Sequence, residues 1–179
     1  MPDSERSATL AGKRVLITGG SSGIGLACAH GLAARGARVA LLARGAAALR
    51  EAAGALDGEA HIVVADVSDA DAMQRALAQT AQALGGVDVV VANAAAAVYG
   101  PFADMAPDDY RRTIDITLLG MLNTAHAALP HLEPTGGTLV FVGSISGRLP
   151  TPWLSVYTAA KHGVRGFART TSRTTSSGR

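Results

Sequence analysis

Several residue types that mark particular protein classes are scarce in this chain of 179 residues. A single cysteine, Cys28, excludes an internal disulfide framework and a cysteine-based zinc site. Only 4% of the residues are aromatic, which argues against a surface that stacks the bases of single-stranded nucleic acid. No run of about 18 apolar residues occurs, and the polar N-terminus lacks the apolar segment of a secretory signal, so we expect a cytoplasmic protein without a membrane span.

Charge is also sparse and unevenly placed. Charged residues make up 17% of the chain, and the net charge is +2. Three of the positive charges lie near the end of the chain, on Arg169, Arg173 and Arg179. Without them the net charge of the chain is slightly negative, so the rest of the chain offers no basic surface to nucleic acid or an anionic membrane. The hydrophobic fraction of 48% excludes an intrinsically disordered protein, and the length predicts one domain with its own core.

Short apolar runs alternate with longer amphipathic segments. The predicted strands are 14–18, 38–43, 61–65, 87–92 and 138–142, and the predicted helices are 23–34, 46–54, 69–84, 107–129 and 155–169. Strands made almost entirely of Val, Ile and Leu are typical of a parallel sheet covered on both faces. The pattern predicts an α/β fold with a doubly wound, Rossmann-like parallel sheet of five strands in the order 3-2-1-4-5, and such sheets bind ligands beyond the carboxyl ends of their strands.

The first strand is followed by a glycine-rich turn with the sequence TGGSSGIG at 18–25. Glycine lets a turn adopt positive φ and approach a pyrophosphate closely, and the helix that follows offers free N–H groups and a partial positive charge. An ordinary glycine-rich turn has the same composition. Its place after the first strand of a βαβ unit favours a dinucleotide site.

The ends of the next three strands carry further candidates for this site. Arg44 ends the second strand where no acid is present, which favours a 2′-phosphate and hence NADP over NAD; a solvent-facing arginine is the alternative. Asp66 and Val67 follow the third strand, and Asn93 follows the fourth. Asp66 is a candidate acceptor from the adenine amino group. A helix cap or a tight turn is the alternative interpretation of these residues.

Ser144, Tyr157 and Lys161 are the candidates for catalysis. Tyr157 and Lys161 are four residues apart on one face of the last predicted helix, and Ser144 follows the fifth strand. A free phenol has a pKa of about 10, too high for acid–base work at neutral pH, but a nearby lysine cation lowers it. A serine hydroxyl can orient a carbonyl oxygen. The Tyr–Lys spacing alone is typical of a surface pair, and its combination with the glycine turn favours catalysis.

In this combination the chain resembles the short-chain dehydrogenase/reductase family from about residue 13 to residue 167. The resemblance rests on TGGSSGIG at 18–25, Asp66-Val67, ANAA at 92–95 where the family has NNAG, Ser144, and Tyr157 with Lys161. It implies an NAD(P)-dependent oxidoreductase that transfers a hydride between the nicotinamide and a carbonyl or secondary alcohol, with the cofactor supplying the difficult chemistry.

The resemblance also implies a role for each matching position. The residues implied to hold the cofactor are Gly19, Ser21, Ser22, Gly23, Ile24, Gly25, Arg44, Asp66, Val67, Asn93, Tyr157 and Lys161. The glycines would wrap the pyrophosphate, Asp66 would touch adenine, and Asn93 would lie by the adenosine ribose. Ser144 would hold the substrate oxygen, and Tyr157 would give or take its proton. Lys161 would bind the nicotinamide ribose and poise Tyr157, and no metal is implied.

Two departures from the family pattern matter. Thr117 stands where the family often has an asparagine that holds a water in a proton relay, and its hydroxyl is the implied substitute. The chain also ends soon after the Tyr–Lys helix, where family members continue. We therefore expect a C-terminally truncated member with a flexible segment 1–12, an incomplete dinucleotide-binding domain 13–168 and a disordered tail 169–179. The alternative function is nucleotide binding with little or no turnover, because a missing wall and lid admit water.

The expected partner is a small carbonyl or alcohol substrate, with no nucleic acid and no membrane. The helices over 107–129 and 155–169 are candidates for pairing with a second copy, by analogy with family oligomers. Trp153, which lies beside two prolines, is predicted either to line the substrate side of the cleft or to pack. Ser146 is a weaker candidate than Ser144 for holding the substrate oxygen, because its spacing to Tyr157 is shorter.

Overall fold

The computed structural model describes residues 10–174, which form a parallel sheet between two layers of helices. The strands are β1 (Arg14–Thr18), β2 (Arg38–Ala43), β3 (Ala60–Val64), β4 (Val89–Ala92) and β5 (Thr138–Phe141). The helices are α1 (Gly23–Ala33), α2 (Ala46–Gly54), α3 (Ala70–Leu84), α4 (Pro107–Ile114), α5 (Gly120–Leu132) and α6 (Ser155–Thr174). All strand pairs are parallel in the order β3-β2-β1-β4-β5, which confirms the predicted fold class.

Both faces of the sheet are buried. Leu16, Leu42 and Val90 belong to the core that the sheet shares with α3 and α5. Ile17 and Leu41 belong to the core on the other face, shared with α1 and α2. Because neighbouring residues of a strand point to opposite faces and both faces are covered, β1 and β2 read as continuous apolar runs.

The helix predicted over 107–129 is divided in the structure. α4 ends at Ile114, Asp115–Leu119 form a π-helical turn, and α5 continues to Leu132 with Pro130 inside it. A π turn adds one residue to a helical repeat, and such turns are frequent at functional sites. The sequence did not predict the π turn, because over five residues its apolar pattern fits an α-helical and a π-helical repeat equally well.

The last helix, α6, is longer than predicted. It continues to Thr174, so residues 169–174 are helical rather than disordered. The ring of Phe167 meets Phe141 of β5 edge-on, with centroids 5.7 Å apart, and this contact anchors the helix to the sheet. Of the segment 1–12 that was predicted to be flexible, residues 10–12 form a turn in which the Gly12 N–H donates to the Gly36 carbonyl at 2.8 Å. Residues 1–9 and 175–179 lie outside the described residues. Within the described part of the chain, no helix combines the length and the apolar character needed to cross a membrane.

Arg14 and Asp88 join the amino ends of β1 and β4. The guanidinium donates from Nε to Oδ2 at 2.8 Å and from Nη2 to Oδ1 at 2.7 Å, and the Arg14 backbone N–H donates to Oδ2 at 2.9 Å. These hydrogen bonds lower the pKa of Asp88 to about 2. The pair lies at the sheet edge opposite the carboxyl ends of the strands, so its contribution is to stability.

The substitution D88N should lower the free energy of unfolding by about 2 kcal/mol at neutral pH, because the carboxyl titrates at about 2 when folded and near 4 when unfolded. Since the folded-state pKa is depressed, this stabilisation is present above about pH 4 and is lost as the pH falls toward 2. Urea denaturation of wild type and variant across this range measures it. D108N is the control, because Asp108 is 96% exposed beside Arg111 and its loss should change stability by less than about 0.5 kcal/mol. Equal losses in the two variants would contradict the assignment.

Candidate active site

A cavity of about 770 Å³ opens at the carboxyl edge of the sheet. Its wall contains every residue predicted to hold the cofactor except Gly25, Tyr157 and Lys161. Arg112 and Ile116 also line it. No motif marks these two residues, because they lie on α4 and the π turn, far along the chain from the glycine turn. The predicted residues in the wall are Gly19, Ser21, Ser22, Gly23, Ile24, Arg44, Asp66, Val67 and Asn93.

The glycine turn is held by hydrogen bonds from the end of β4. The Asn93 amide donates from Nδ2 to the carbonyls of Thr18 at 3.0 Å and Gly19 at 3.3 Å. The Thr18 hydroxyl accepts from the backbone N–H groups of Asn93 at 3.0 Å and Ala94 at 3.1 Å. Asn93, predicted to lie by the adenosine ribose, therefore also braces the turn. Thr18 is a bracing residue that the sequence analysis missed, although it begins the glycine motif.

Two glycines of the turn serve different purposes. Gly19 has a φ of +66° and lies in the cavity wall, where a side chain would strain the backbone. Gly25 is buried behind the cavity, and a Cβ there would collide with the carbonyl oxygen of Gly19. Gly25 thus permits close packing of α1 against the turn. It is not part of the cavity wall, and its implied contact with the pyrophosphate stays a prediction.

Arg44 and Asp66 face each other across the ends of β2 and β3. Nη1 of Arg44 lies 3.7 Å from Oδ2 of Asp66, and the backbone N–H and hydroxyl of Ser68 donate to Oδ1 at 2.9 and 2.7 Å. Burial alone would raise the pKa of Asp66, but the hydrogen bonds from Ser68 and the Arg44 guanidinium outweigh it and hold that pKa below its usual value. This corner of the cavity therefore offers a cation beside an ionised carboxylate.

The loop that carries Asp66 is fixed by a residue that the sequence analysis did not single out. Nδ2 of Asn123, on α5, donates to the carbonyl of Val67 at 3.0 Å. Gly120 lies close by, where a Cβ would meet the Val67 side chain. The close approach of α5 thus fixes the position of the loop after β3.

Tyr157 and Lys161 come together near the start of α6. Nζ of Lys161 lies 5.7 Å from the centroid of the Tyr157 ring and donates to the Val142 carbonyl at 2.8 Å. Lys161 is only 2% exposed, and burial lowers its pKa to about 8. The amine therefore still carries a proton at neutral pH, close to a phenol that is partly exposed.

Ser144 and Lys161 line a second cavity, of about 700 Å³, beside β5. Oγ of Ser144 accepts from the Ser146 N–H at 3.2 Å, and the residue is partly exposed. Ser146 is 2% exposed, and its hydroxyl is hydrogen bonded to the Thr151 hydroxyl at 2.9 Å. Of the two serines, Ser144 is thus the one accessible to a ligand. In the part of the chain that the structure describes, no three His, Cys, Asp or Glu side chains are placed to hold a metal ion.

Thr117 is engaged with the loop after β4. Its hydroxyl donates to the Ala96 carbonyl at 2.7 Å and accepts from the Ala96 N–H at 2.9 Å. The residue is completely buried in the π turn. These bonds give Thr117 a structural role, and its catalytic role stays a prediction. Thr117 joins the π turn to the loop at 94–96, which lines the first cavity.

The chain is similar to known proteins of one family. The short chain dehydrogenase family matches residues 13–177. Dehydrogenase/reductase SDR family member 7B of Mus musculus is 34% identical over 161 residues, covering 86% of this chain and 50% of that protein. The 3-dehydrosphinganine reductase TSC10B of Arabidopsis thaliana is 33% identical over 165 residues, covering 88% and 49%. The chain spans about half the length of the curated relatives it matches.

A solved structure agrees with these sequence relatives. The crystal structure of a short-chain type dehydrogenase/reductase from Mycobacterium marinum superimposes with a TM-score of 0.88 at 32% identity. The match covers 95% of this chain and 72% of that chain. Strand order and helix placement are therefore those of solved members of the family.

The variant T117V keeps the shape of the side chain and removes the hydroxyl, leaving the partly buried Ala96 N–H and carbonyl without this partner. It should lower the free energy of unfolding by about 1–3 kcal/mol, measured by urea denaturation. T117S keeps the hydroxyl and should recover most of the loss. A T117V protein as stable as wild type would contradict the proposed clamp.

The chain contains two lysines, Lys13 and Lys161, so the titration of Lys161 can be followed directly. In protein labelled with ¹³C-lysine, one Cε resonance should titrate with a midpoint near pH 8, because burial disfavours the ammonium form. The variant K161M assigns the resonance by removing it. A Lys161 midpoint above pH 10 would show that the amine is solvated rather than buried.

Proposed function

Because the chain belongs to the short-chain dehydrogenase family, we propose that it is an NADP-dependent oxidoreductase acting on a carbonyl or secondary alcohol. The observation that carries the proposal is the Lys161 amine 5.7 Å from the Tyr157 ring, beside the Ser144 loop and at the same sheet edge as the 770 Å³ cavity. The relative named as a 3-dehydrosphinganine reductase supports carbonyl reduction. Self-association through the helices over 107–129 and 155–169, which correspond to α4, α5 and α6, stays a prediction.

The cavity residues fit a dinucleotide. The glycine turn has an open backbone at the start of α1, where N–H groups and the helix dipole favour a pyrophosphate. Arg44 would bind a 2′-phosphate, and Asp66, kept ionised by Ser68 and Arg44, would accept from the adenine amino group. When bound, the nicotinamide supplies hydride transfer.

The protein's own part in carbonyl reduction is proton transfer and orientation. The Ser144 hydroxyl donates to the substrate oxygen and holds it near the phenol. The proton on Oη of Tyr157 passes to that oxygen as negative charge develops there. The Lys161 ammonium then stabilises the phenolate that remains. In alcohol oxidation the same proton moves in the opposite direction.

The proposed cofactor preference rests on Arg44. The variant R44A should weaken NADP⁺ binding by about tenfold or more and leave NAD⁺ binding nearly unchanged, because a charge-assisted bond to the 2′-phosphate is lost. Isothermal titration calorimetry with both nucleotides measures the difference. R35A is the control, since the Arg35 guanidinium binds the Gly31 carbonyl at the far end of α1. Equal loss of both nucleotides in R44A would exclude a role in discrimination.

The activity itself is tested by NADPH oxidation with a panel of ketones and aldehydes. We expect turnover in wild type and a loss of at least about 100-fold in Y157F, which lacks the transferable proton but keeps the ring. NADP⁺ binding should be retained in Y157F. Retained activity would remove Tyr157 from the proton-transfer step, and NADP⁺ binding by wild type without turnover of any carbonyl would favour the alternative function, nucleotide binding alone.

A further inference from the structure

Tyr99 and Trp153 form an exposed aromatic pair at the carboxyl edge of the sheet. Their ring centroids are 6.2 Å apart, and the ring planes are inclined by 23°, an offset-stacked arrangement. Tyr99 lies on the loop after β4, and Trp153 lies just before α6. The Gly100 N–H donates to the Trp153 carbonyl at 2.9 Å, so the two loops are fixed to each other. The residues remain 71% and 53% exposed despite this contact.

The backbone of Trp153 is strained. Its φ of +67° is the only positive φ outside glycine in residues 10–174. The left-handed region is unfavourable for a bulky side chain, and a glycine at this position would avoid the strain. A large apolar ring that is both strained and exposed contributes little to the core. Strain of this kind is concentrated at ligand sites, which favours a ligand-binding role for the ring.

The chain keeps the pair within reach of the proposed reacting groups. Trp153 precedes Tyr157 by four residues, so their Cα atoms are at most about 14 Å apart. Tyr99 follows the loop at 94–96, which lines the nucleotide cavity. Ile145 and Leu149, on the loop after Ser144, are 64% and 59% exposed. Exposed apolar side chains thus accompany Trp153 on its loop, and such surfaces mark ligand grooves.

We propose that Tyr99 and Trp153 bind the planar ring of a carbonyl substrate, so that the enzyme favours cyclic aromatic ketones over linear aliphatic ones. This inference rests on the proposed function and specifies its substrate class. Two nearly parallel rings present a flat apolar surface, and a third ring stacks on it with a gain beyond simple area burial. A linear chain gains less from such contact, because it loses rotamer freedom on binding.

Trp153 is the only tryptophan, so its fluorescence reports on a ligand at the pair. Wild type saturated with NADP⁺ is titrated with 1-tetralone, a bicyclic aromatic ketone, and with 2-decanone, a linear ketone of the same carbon number. We expect saturable quenching with 1-tetralone and an affinity about tenfold higher than for 2-decanone. Y99A should weaken 1-tetralone binding about tenfold, whereas Y99F should retain it. Equal affinities for the two ketones, or an unchanged affinity in Y99A, would overturn the proposal.

The variant W153G separates a ligand role from a structural one. Glycine accepts the φ of this position, so the midpoint of thermal unfolding should stay the same or rise, while calorimetry should show about tenfold weaker 1-tetralone binding. A lower midpoint with unchanged affinity would overturn the proposal. Binding of 1-tetralone to the NADP⁺ complex is read without turnover, so the measurement does not depend on proton transfer. If the wild type binds 1-tetralone selectively but reduces no carbonyl, the proposed function is rejected. The binding site at Tyr99 and Trp153 is then still supported.

Discussion

The site depends on the polar contact between the glycine turn and the end of β4. β1 lies at the centre of the sheet with β2 on one side and β4 on the other, and the chain covers opposite faces on the two sides. Loops therefore diverge at this point and leave a crevice, which is where open α/β sheets bind ligands. The Thr18 and Asn93 side chains fix the width of that crevice through backbone hydrogen bonds. Without them the turn would lose the support that holds its N–H groups in the cavity wall.

Similar contacts recur around the cavity, where polar side chains bond to backbone groups of neighbouring loops. Thr117 holds Ala96, and Asn123 holds Val67. A buried backbone group without a partner is costly, so each of these bonds restricts its loop to one position. A threonine at position 117 supplies both bonds with one hydroxyl. The departure from the family's asparagine is thus compatible with an ordered loop.

Burial is the largest influence on the pKa values of the Asp66 carboxyl and the Lys161 amine. Asp66 keeps its charge because Ser68 and Arg44 offset the effect of burial. Among the described residues, the Lys161 amine donates to one carbonyl, and burial lowers its pKa to about 8. A buried ammonium beside the Tyr157 ring attracts a phenolate more strongly than a solvated lysine would. The exposed rings of Tyr99 and Trp153 complete the edge with an apolar surface.

The order of strands and helices, the parallel sheet and the residues of the glycine turn could be predicted without coordinates, because hydrophobic periodicity and turn composition are local properties. Most of the cavity wall was predictable too, since the carboxyl ends of parallel strands meet at one edge. The packing of Gly25 against Gly19, the hydrogen bonds between Thr117 and Ala96 and the positive φ of Trp153 are known only from the folded chain. The braces join positions far apart in the chain, such as Asn93 and Thr18 at a separation of 75 residues. Which groups meet across such a distance depends on how the helices pack on the sheet, and no local pattern records it.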